Sequence, residues 1–245
     1  MNRILEANGL TKSFGGLRAI HDVDLHVCCG EILGLIGPNG AGKTTLFSLL
    51  SGFLFPDQGE VFFRKEKING LKPHDICKRG LARTFQIVQP FAGLTVLENV
   101  MAGGYNTLTG RARVMDWSRG ILQEVGLFKK MGLPAASLTL CERKKLELAR
   151  ALATCPSLIL LDEVMAGLNP TEVGEMIELI EKIREKGITV LLIEHVMKAI
   201  MKLSERVIVL HHGNKISEGT PERVTADPAV VRAYLGAEDE FSANP

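Results

Sequence analysis

Four short runs of the chain are apolar almost without interruption: Glu31–Ile36, Ser157–Leu161, Thr189–Ile193 and Arg206–Leu210. Rich in leucine and β-branched residues, they predict strands covered on both faces, as in a parallel sheet lying between helices. After the second run the period changes. Asn169 is a good helix N-cap, Pro170 suits the first helical position and Gly187 is a good terminator. Within those limits Val173, Met176, Ile177, Ile180 and Ile183 recur at helical spacing, so one face of this helix is expected to pack on the sheet. Asp227–Pro228 predicts a last helix that Gly236 stops, followed by a frayed tail. His211–His212–Gly213–Asn214 predicts a hairpin turn between Val207–Leu210 and Lys215–Ser217. With no third ligand near in sequence, the two histidines read as exposed turn residues rather than a metal site.

The stretch from about Gln89 to Ala153 breaks the alternation of strand and helix. Thr95–Val96–Leu97–Glu98 is a capping box that opens one helix, and residues Leu146 to Ala153 form another that closes the region. Loops containing Gly103–Gly104 and Gly110, a basic stretch and Trp117 are expected between them, and Arg143–Lys144–Lys145 reads as a solvated helix face. The division that follows is a single domain over 1–245: an α/β core over 1–88 and 154–220, a helical subdomain inserted at 89–153, and a C-terminal helix and tail at 221–245.

The first apolar run carries the chemistry. It leads into Gly37–Pro38–Asn39–Gly40–Ala41–Gly42–Lys43–Thr44–Thr45 and then Leu46–Phe47–Ser48–Leu49–Leu50. Strand, glycine loop and helix in that order form a P-loop. Glycines let the backbone curl so that successive N–H groups face one anion, and the following helix adds unpaired N–H groups and a positive dipole end. Lys43 supplies a cation for the β- and γ-phosphates, and the Thr44 hydroxyl can ligate Mg²⁺. The second run ends in Asp162–Glu163, which puts two carboxylates at the carboxyl edge of the sheet, beside the loop. Asp162 suits Mg²⁺, directly or through water, and Glu163 suits polarisation of the attacking water. A GTPase would need an aspartate where Asn214–Lys215–Ile216–Ser217 has Ser217.

Composition changes the picture only by exclusion. The 245 residues are 46% hydrophobic and 5% aromatic, which fits an aliphatic α/β core, and the formal charge of +1 gives no electrostatic case for a nucleic-acid partner. Five cysteines with no Cys-x-x-Cys pair point to a reducing compartment and to neither a zinc site nor a disulfide frame. Without a signal-peptide pattern or an apolar run approaching about 18 residues, the chain is expected to be soluble and cytoplasmic.

Taken in order along the chain, further stretches resemble the ATPase subunits of ABC transporters. Phe14, in Thr11–Lys12–Ser13–Phe14–Gly15–Gly16, matches the aromatic that stacks on adenine. Gln86, in Arg83–Thr84–Phe85–Gln86, matches the glutamine that senses the γ-phosphate and metal and touches the membrane partner. Leu138–Thr139–Leu140–Cys141–Glu142 stands where the family carries its Leu-Ser-Gly-Gly-Gln signature, Ala166–Gly167–Leu168–Asn169–Pro170 matches the dimer-contact loop, and His195 matches the switch histidine. The resemblance implies a P-loop core of ABC-cassette type with an inserted helical subdomain and an N-terminal antiparallel β part. It further implies ATP and Mg²⁺ as ligands. Two cassettes, homodimeric or heterodimeric, would sandwich two nucleotides on the inner face of a cell membrane, against transmembrane permease subunits. Within the family, Phe14 to Ala19, the Glu194–His195 pair and Ala233–Tyr234–Leu235–Gly236 are similar to the ATPases of branched-chain amino-acid importers, which would add a periplasmic solute-binding protein as an indirect partner. Lipopolysaccharide-exporting ATPases share some of these stretches. DNA-organising members carry coiled coils far longer than the insert at 89–153.

Three departures from the family pattern carry expectations of their own. Thr139 keeps the signature hydroxyl. Cys141 replaces a glycine, which is expected to crowd the γ-phosphate of the facing site and, if the position needs a positive φ, to add about 1–2 kcal/mol of strain. Glu142 in place of glutamine brings negative charge toward ATP, and Val164 replaces the proline that usually follows the catalytic glutamate. A nucleotide-gated subunit with a weakened composite site is therefore the alternative to a fully hydrolysing one.

Overall fold

The computed structural model describes residues 2–86 and 89–234. Strands β1 (Arg3–Phe14) and β2 (Leu17–Cys28) form a long antiparallel pair, after which β3 (Ile32–Ile36) leads through the glycine loop into α1 (Lys43–Leu50). Then come β4 (Gln58–Phe63), β5 (Glu66–Lys67), α2 (Pro73–Lys78) and β6 (Leu81–Arg83). Three longer helices follow: α3 (Val96–Gly104), α4 (Arg111–Glu124) and α5 (Leu140–Ala153). The chain returns to the sheet with β7 (Leu158–Asp162), α6 (Pro170–Glu185), β8 (Thr189–Ile193), α7 (Met197–Leu203), β9 (Arg206–His211), β10 (Asn214–Gly219) and α8 (Pro221–Thr225). Residues 228–234 are again helical.

The strands make two sheets. One is antiparallel, in the order β2-β1-β4-β5; the other runs β10-β9-β3-β8-β7-β6, parallel throughout except for the β9–β10 hairpin. The expected apolar runs are the four central strands of the second sheet, and their alternation explains why they carry no polar face. Ile32, Ile159, Leu161, Val190, Leu192, Val207 and Val209 pack into a core shared with the helices α3 to α7. Leu33, Leu35, Leu158, Leu160, Leu191, Ile193, Ile208 and Leu210 point the other way, into a core closed by α1 and the antiparallel sheet. Both faces lie in hydrocarbon, each buried leucine or isoleucine adding about 1.5–3 kcal/mol relative to exposure. α6 follows its expectation: Asn169 caps it with a full capping box, Gly187 follows its end at φ +84°, and the five named apolar residues are all buried.

Between α3 and α5 the structure departs from the sequence expectation. Gly103 and Gly104 lie in the last turn of α3 rather than in a loop, and Trp117 is on α4. Gly103 is needed for contact, because a Cβ there would overlap the carbonyl of Arg150 where α3 crosses α5. Helix α5 begins at Leu140, six residues before the expected start, because Thr139 and Glu142 form a capping box that the family signature concealed. The expected hairpin turn lies at His212–Gly213; His211 ends β9 and is half-buried, while His212 is exposed. Residues 228–234 follow the expected start at Asp227–Pro228, whereas Gly236 and the tail lie outside the described residues. Among the described residues no helix is long and apolar enough to cross a membrane.

Candidate functional site

The parallel sheet delivers β3, β7 and β8 to one edge, and the loops leaving them build the site. A cleft of about 430 Å³ opens there, lined by Asn39 to Thr45 of the glycine loop, by Phe14, Gln86 and Glu163, and by Leu17 to Ala19 with His212 and Gly213. The loop turns tightly at both ends. A Cβ at Gly37 would strike the Leu210 carbonyl, and one at Gly42, where φ is +103°, would strike that of Ala19. Both positions therefore exclude other residues on contact alone. Lys43 is buried, and its ammonium donates to the carbonyls of Gly37 (2.7 Å) and Pro38 (3.0 Å). Burial pushes its pKa down, opposed by the charges of Glu163 and Asp162, so the lysine faces the acidic strand end across the cleft. Thr44 is exposed on the first turn of α1, and Phe14, half exposed, ends β1 at the cleft's rim.

Glu163 is the centre of the acidic end. Its carboxylate accepts 2.6 Å from Gln86 Nε2 on one oxygen and lies 2.8 Å from His195 Nε2 on the other, a contact that requires the imidazole tautomer protonated at Nε2. Its main chain is in the left-handed region, φ +51°, which costs a non-glycine residue about 1–2 kcal/mol. Strain of this kind persists only where the surroundings over-determine it. Here Glu163 N–H donates to Ile193 O at 3.0 Å, while its own carbonyl accepts from Ala166 N–H at 3.2 Å and from Lys144 Nζ at 2.9 Å. Three sequence-assigned residues, Gln86, Glu163 and His195, are thus brought together by loops after β6, β7 and β8.

Asp162 lies beneath, fully buried. One oxygen pairs with Arg83 Nη2 at 3.0 Å, and the guanidinium also donates to the Ser48 and Ser51 hydroxyls at 3.0 and 3.3 Å. The rings of Phe47, Phe53 and Phe85 surround it at 5.2 to 5.7 Å. In the sequence Arg83 stands out only as a neighbour of Gln86, and nothing in its spacing marks it as the partner of Asp162. Burial pushes the Asp162 carboxyl up, and Arg83 holds it down. Its other oxygen, Oδ1, is buried with no hydrogen-bond partner among the described residues. An orphaned carboxylate oxygen beside the Thr44 hydroxyl's loop suits a hard cation, so the residues present fit Mg²⁺.

The signature residues do not line this cleft. Thr139 caps α5, and Glu142 accepts from the Thr139 N–H at 3.1 Å and pairs with Lys130. The negative charge expected at Glu142 is therefore compensated within the chain, and its pKa is lowered despite some burial, chiefly by the hydrogen bond from Lys130. Cys141 corrects the sequence expectation. It lies in the first turn of α5, is absent from the residues with positive φ, and is buried, so it carries no left-handed strain and its side chain is turned into the protein. Leu140 instead is exposed against Gly167, where a Cβ would lie 3.1 Å from its methyl. The solvated face expected at Arg143–Lys144–Lys145 is also corrected, because Lys144 is only 4% exposed.

Glu194, at the end of β8, is 2% exposed and accepts from Met165 N–H at 2.8 Å. Burial raises its carboxyl from 4.5 to about 7, opposed by the backbone N–H groups of Met165 and His195 and by Lys144. A folded-state pKa above the unfolded value means stabilisation that is complete below about pH 4.5 and is lost as pH rises through about 7. Glu194→Gln removes that dependence. Its stability in urea should fall less than the parent's between about pH 5 and about pH 8, by on the order of 2 kcal/mol. Parallel curves for the two proteins would contradict the raised carboxyl.

Phosphate-cradling loop, buried acidic strand end and shielded carboxylate converge where a terminal phosphate and its attacking water must meet, which places the protein among the P-loop nucleoside triphosphatases. Comparison with known proteins narrows the class. Residues 20–166 match the ABC transporter family and residues 214–240 the branched-chain amino acid ATP-binding cassette transporter family. The chain belongs to the ABC transporter family and is an ATP-binding cassette, the ATPase subunit of a transporter. It is 39% identical to LivG, the high-affinity branched-chain amino acid transport ATP-binding protein of Escherichia coli, over 95% of this chain and 98% of that one. It is 40% identical to BraF of Pseudomonas aeruginosa, likewise a high-affinity branched-chain amino acid transport ATP-binding protein, over the same shares. A solved ABC-transporter cassette in its ADP conformation superposes with a TM-score of 0.88 at 31% identity, covering 96% of this chain and 100% of that one. A dimeric bacterial cassette does so at 0.81 with 25% identity, over 89% and 98%.

Proposed function

We propose that this chain hydrolyses ATP to drive import of branched-chain amino acids, as one of two cassettes on the cytoplasmic face of a membrane permease. The observation that carries hydrolysis is the Glu163 carboxylate, held between Gln86 and His195 at the mouth of the glycine-loop cleft. In this reading adenine stacks on Phe14, and the triphosphate lies in the loop from Gly37 to Thr45, with the Lys43 ammonium turned from its carbonyls to the β/γ-phosphates. Thr44, Gln86 and Asp162 would hold Mg²⁺, which neutralises charge on the phosphate oxygens when bound. Gln86 and His195 orient the Glu163 carboxylate, which accepts a proton as the water's oxygen bonds to the γ-phosphorus. The bond from that phosphorus to its bridging oxygen breaks, and ADP and inorganic phosphate leave.

The second cassette's Thr139, Cys141 and Glu142 close the site, and the helices of 89–153 form a subdomain that carries them. Closure is driven by higher ATP affinity in the closed than in the open dimer, and it moves the groove beside Gln86 against the permease. The solute class rests on the names of LivG and BraF and on the match over residues 214–240. Lipopolysaccharide export is the second reading, supported by 35% identity to LptB of Acidithiobacillus ferridurans, a lipopolysaccharide export system ATP-binding protein, over 98% of this chain.

Reconstitution with the permease subunits of its transporter tests the proposal. A solute-binding protein loaded with leucine is expected to stimulate ATP turnover and labelled leucine to enter vesicles. No stimulation by any branched-chain amino acid, with turnover raised by lipopolysaccharide, would replace import by export.

A further inference from the structure

Lys144 has no part in the reaction as described, yet it is one of the most deeply buried charges in the protein. It lies on α5 two residues after Glu142, and its ammonium reaches across to the loop after β7, donating 2.9 Å to the main-chain carbonyl of Glu163. The charges of Glu194, Glu147 and Glu163 act on it. Glu194, from the end of β8, accepts from Met165 N–H two residues further along the same loop. A cation from one element and a carboxylate from another thus grip Glu163 and Met165 by their main chains. Between these two fixed points lies Val164, buried at 5%. Glu163 itself is the residue held at φ +51°.

A buried ion is a poor way to add stability, since a well-packed apolar side chain of similar volume is often as good or better. What an apolar side chain cannot supply is the second N–H that the Glu163 carbonyl accepts, beside that of Ala166. That carbonyl sits on a residue whose conformation is unfavourable and whose carboxylate is aimed at two partners at once. We infer that Lys144 is a positioning residue for hydrolysis: its hydrogen bond holds the Glu163 main chain in the left-handed conformation that sets the carboxylate between Gln86 and His195. The inference rests on the proposed role of Glu163 and adds a consequence for the assembly. The first turn of α5 carries Thr139, Cys141 and Glu142, which the proposed function places against the partner's nucleotide. Lys144 follows in the next turn, so displacement of α5 reaches the chain's own water-activating carboxylate through a single hydrogen bond.

The test is MgATP turnover and nucleotide affinity of the purified full-length chain, with affinity read from ATP-induced thermal shifts. Lys144→Met is expected to lower kcat about 5- to 30-fold, with ATP affinity within about twofold of the parent's. Lys144→Arg, which can still donate to the carbonyl, is expected to recover most of the turnover. In a Glu163→Gln background Lys144→Met should add no further loss, because the carboxylate it positions is already gone. If Lys144→Met has no cooperative melting transition, Lys144→Gln takes its place. Its amide is uncharged and one atom shorter than the lysine chain, so it loses the 2.9 Å contact with the Glu163 carbonyl, and kcat should again fall at unchanged affinity.

Turnover within about twofold of the parent in Lys144→Met, or in Lys144→Gln where that variant stands in, overturns the inference when Glu163→Gln is slow, and leaves the role of Glu163 standing. Equal fold-losses from Lys144→Met in the parent and in the Glu163→Gln background overturn it as well, since Lys144 would then act independently. If Glu163→Gln itself turns over like the parent, it is the role of Glu163 that fails, and the inference falls with it.

Discussion

Glu163→Gln is expected to lower ATP turnover by at least about a hundredfold while leaving MgATP binding intact, because positioned general bases contribute about 10²- to 10⁴-fold. An amide matches the carboxylate in size and can keep the His195 contact if its carbonyl oxygen accepts the Nε2–H. It cannot take a proton, and its NH₂ group would face the Gln86 amide that now donates to Oε2. Binding survives because the phosphate cradle from Gly37 to Thr45 and the Asp162 carboxylate below it are untouched. The closed, ATP-bound dimer should therefore accumulate, visible as a shift to twice the mass on size exclusion with MgATP. Turnover near that of the parent would move the water-positioning role to Gln86 or His195.

The two corrected expectations at the start of α5 have a common physical origin. In the family signature that Thr139 to Glu142 match, glycine suggests an open, left-handed backbone. The same four residues also spell a capping box, and local hydrogen bonding decides: the Thr139 hydroxyl and the Glu142 carboxylate cap the helix and set Cys141 at helical φ. A helix that starts at Leu140 turns Lys144 inward together with Leu148 and Ala151, whereas one that starts at Leu146 leaves it in a loop.

By contrast the four central strands of the parallel sheet and α6 were legible in the sequence. Double-sided burial leaves an unbroken apolar run, and Asn169, Pro170 and Gly187 mark both ends of the helix by local chemistry. The glycine loop was legible for the same reason, since close backbone approach at Gly37 and Gly42 permits only one residue type. Arg83 and Lys144 were not, because their partners, Asp162 and the Glu163 carbonyl, lie 79 and 19 residues away. A charge that pairs over such distances leaves no periodic trace. Of the residues lining the cleft, His212 and Gly213 were missed for a related reason: the β9–β10 hairpin reads as an ordinary turn until β2 is placed beside it. The His21 N–H then donates to the Gly213 carbonyl at 2.9 Å, bringing the hairpin to the rim.

Lys43→Ala is expected to act on binding, with the largest effect on affinity among single changes in the cleft. The ammonium is the loop's only side-chain cation, and among the described residues it is buried against the carbonyls of Gly37 and Pro38. Hydrogen bonds to charged groups are worth about 1.5–3 kcal/mol, which corresponds to a loss of ATP affinity of about 10- to 150-fold. The fold should tolerate the change, because desolvation already opposes the charged lysine and the carbonyls it leaves can take water at the mouth of the cleft. ATP should then protect the variant far less against thermal unfolding, the deficit following the ratio of dissociation constants at any fixed ATP concentration. Glu163 and Asp162 sharpen the expectation. Both currently favour the lysine's charge, so removing it leaves the Glu163 carboxylate at the cleft facing the incoming triphosphate without that compensating cation. The loss should accordingly exceed that of a surface lysine and shrink as MgCl₂ is raised. If ATP protects Lys43→Ala as well as it protects the parent, the triphosphate does not lie in the loop between Gly37 and Thr45, and the assignment of the cleft fails with it.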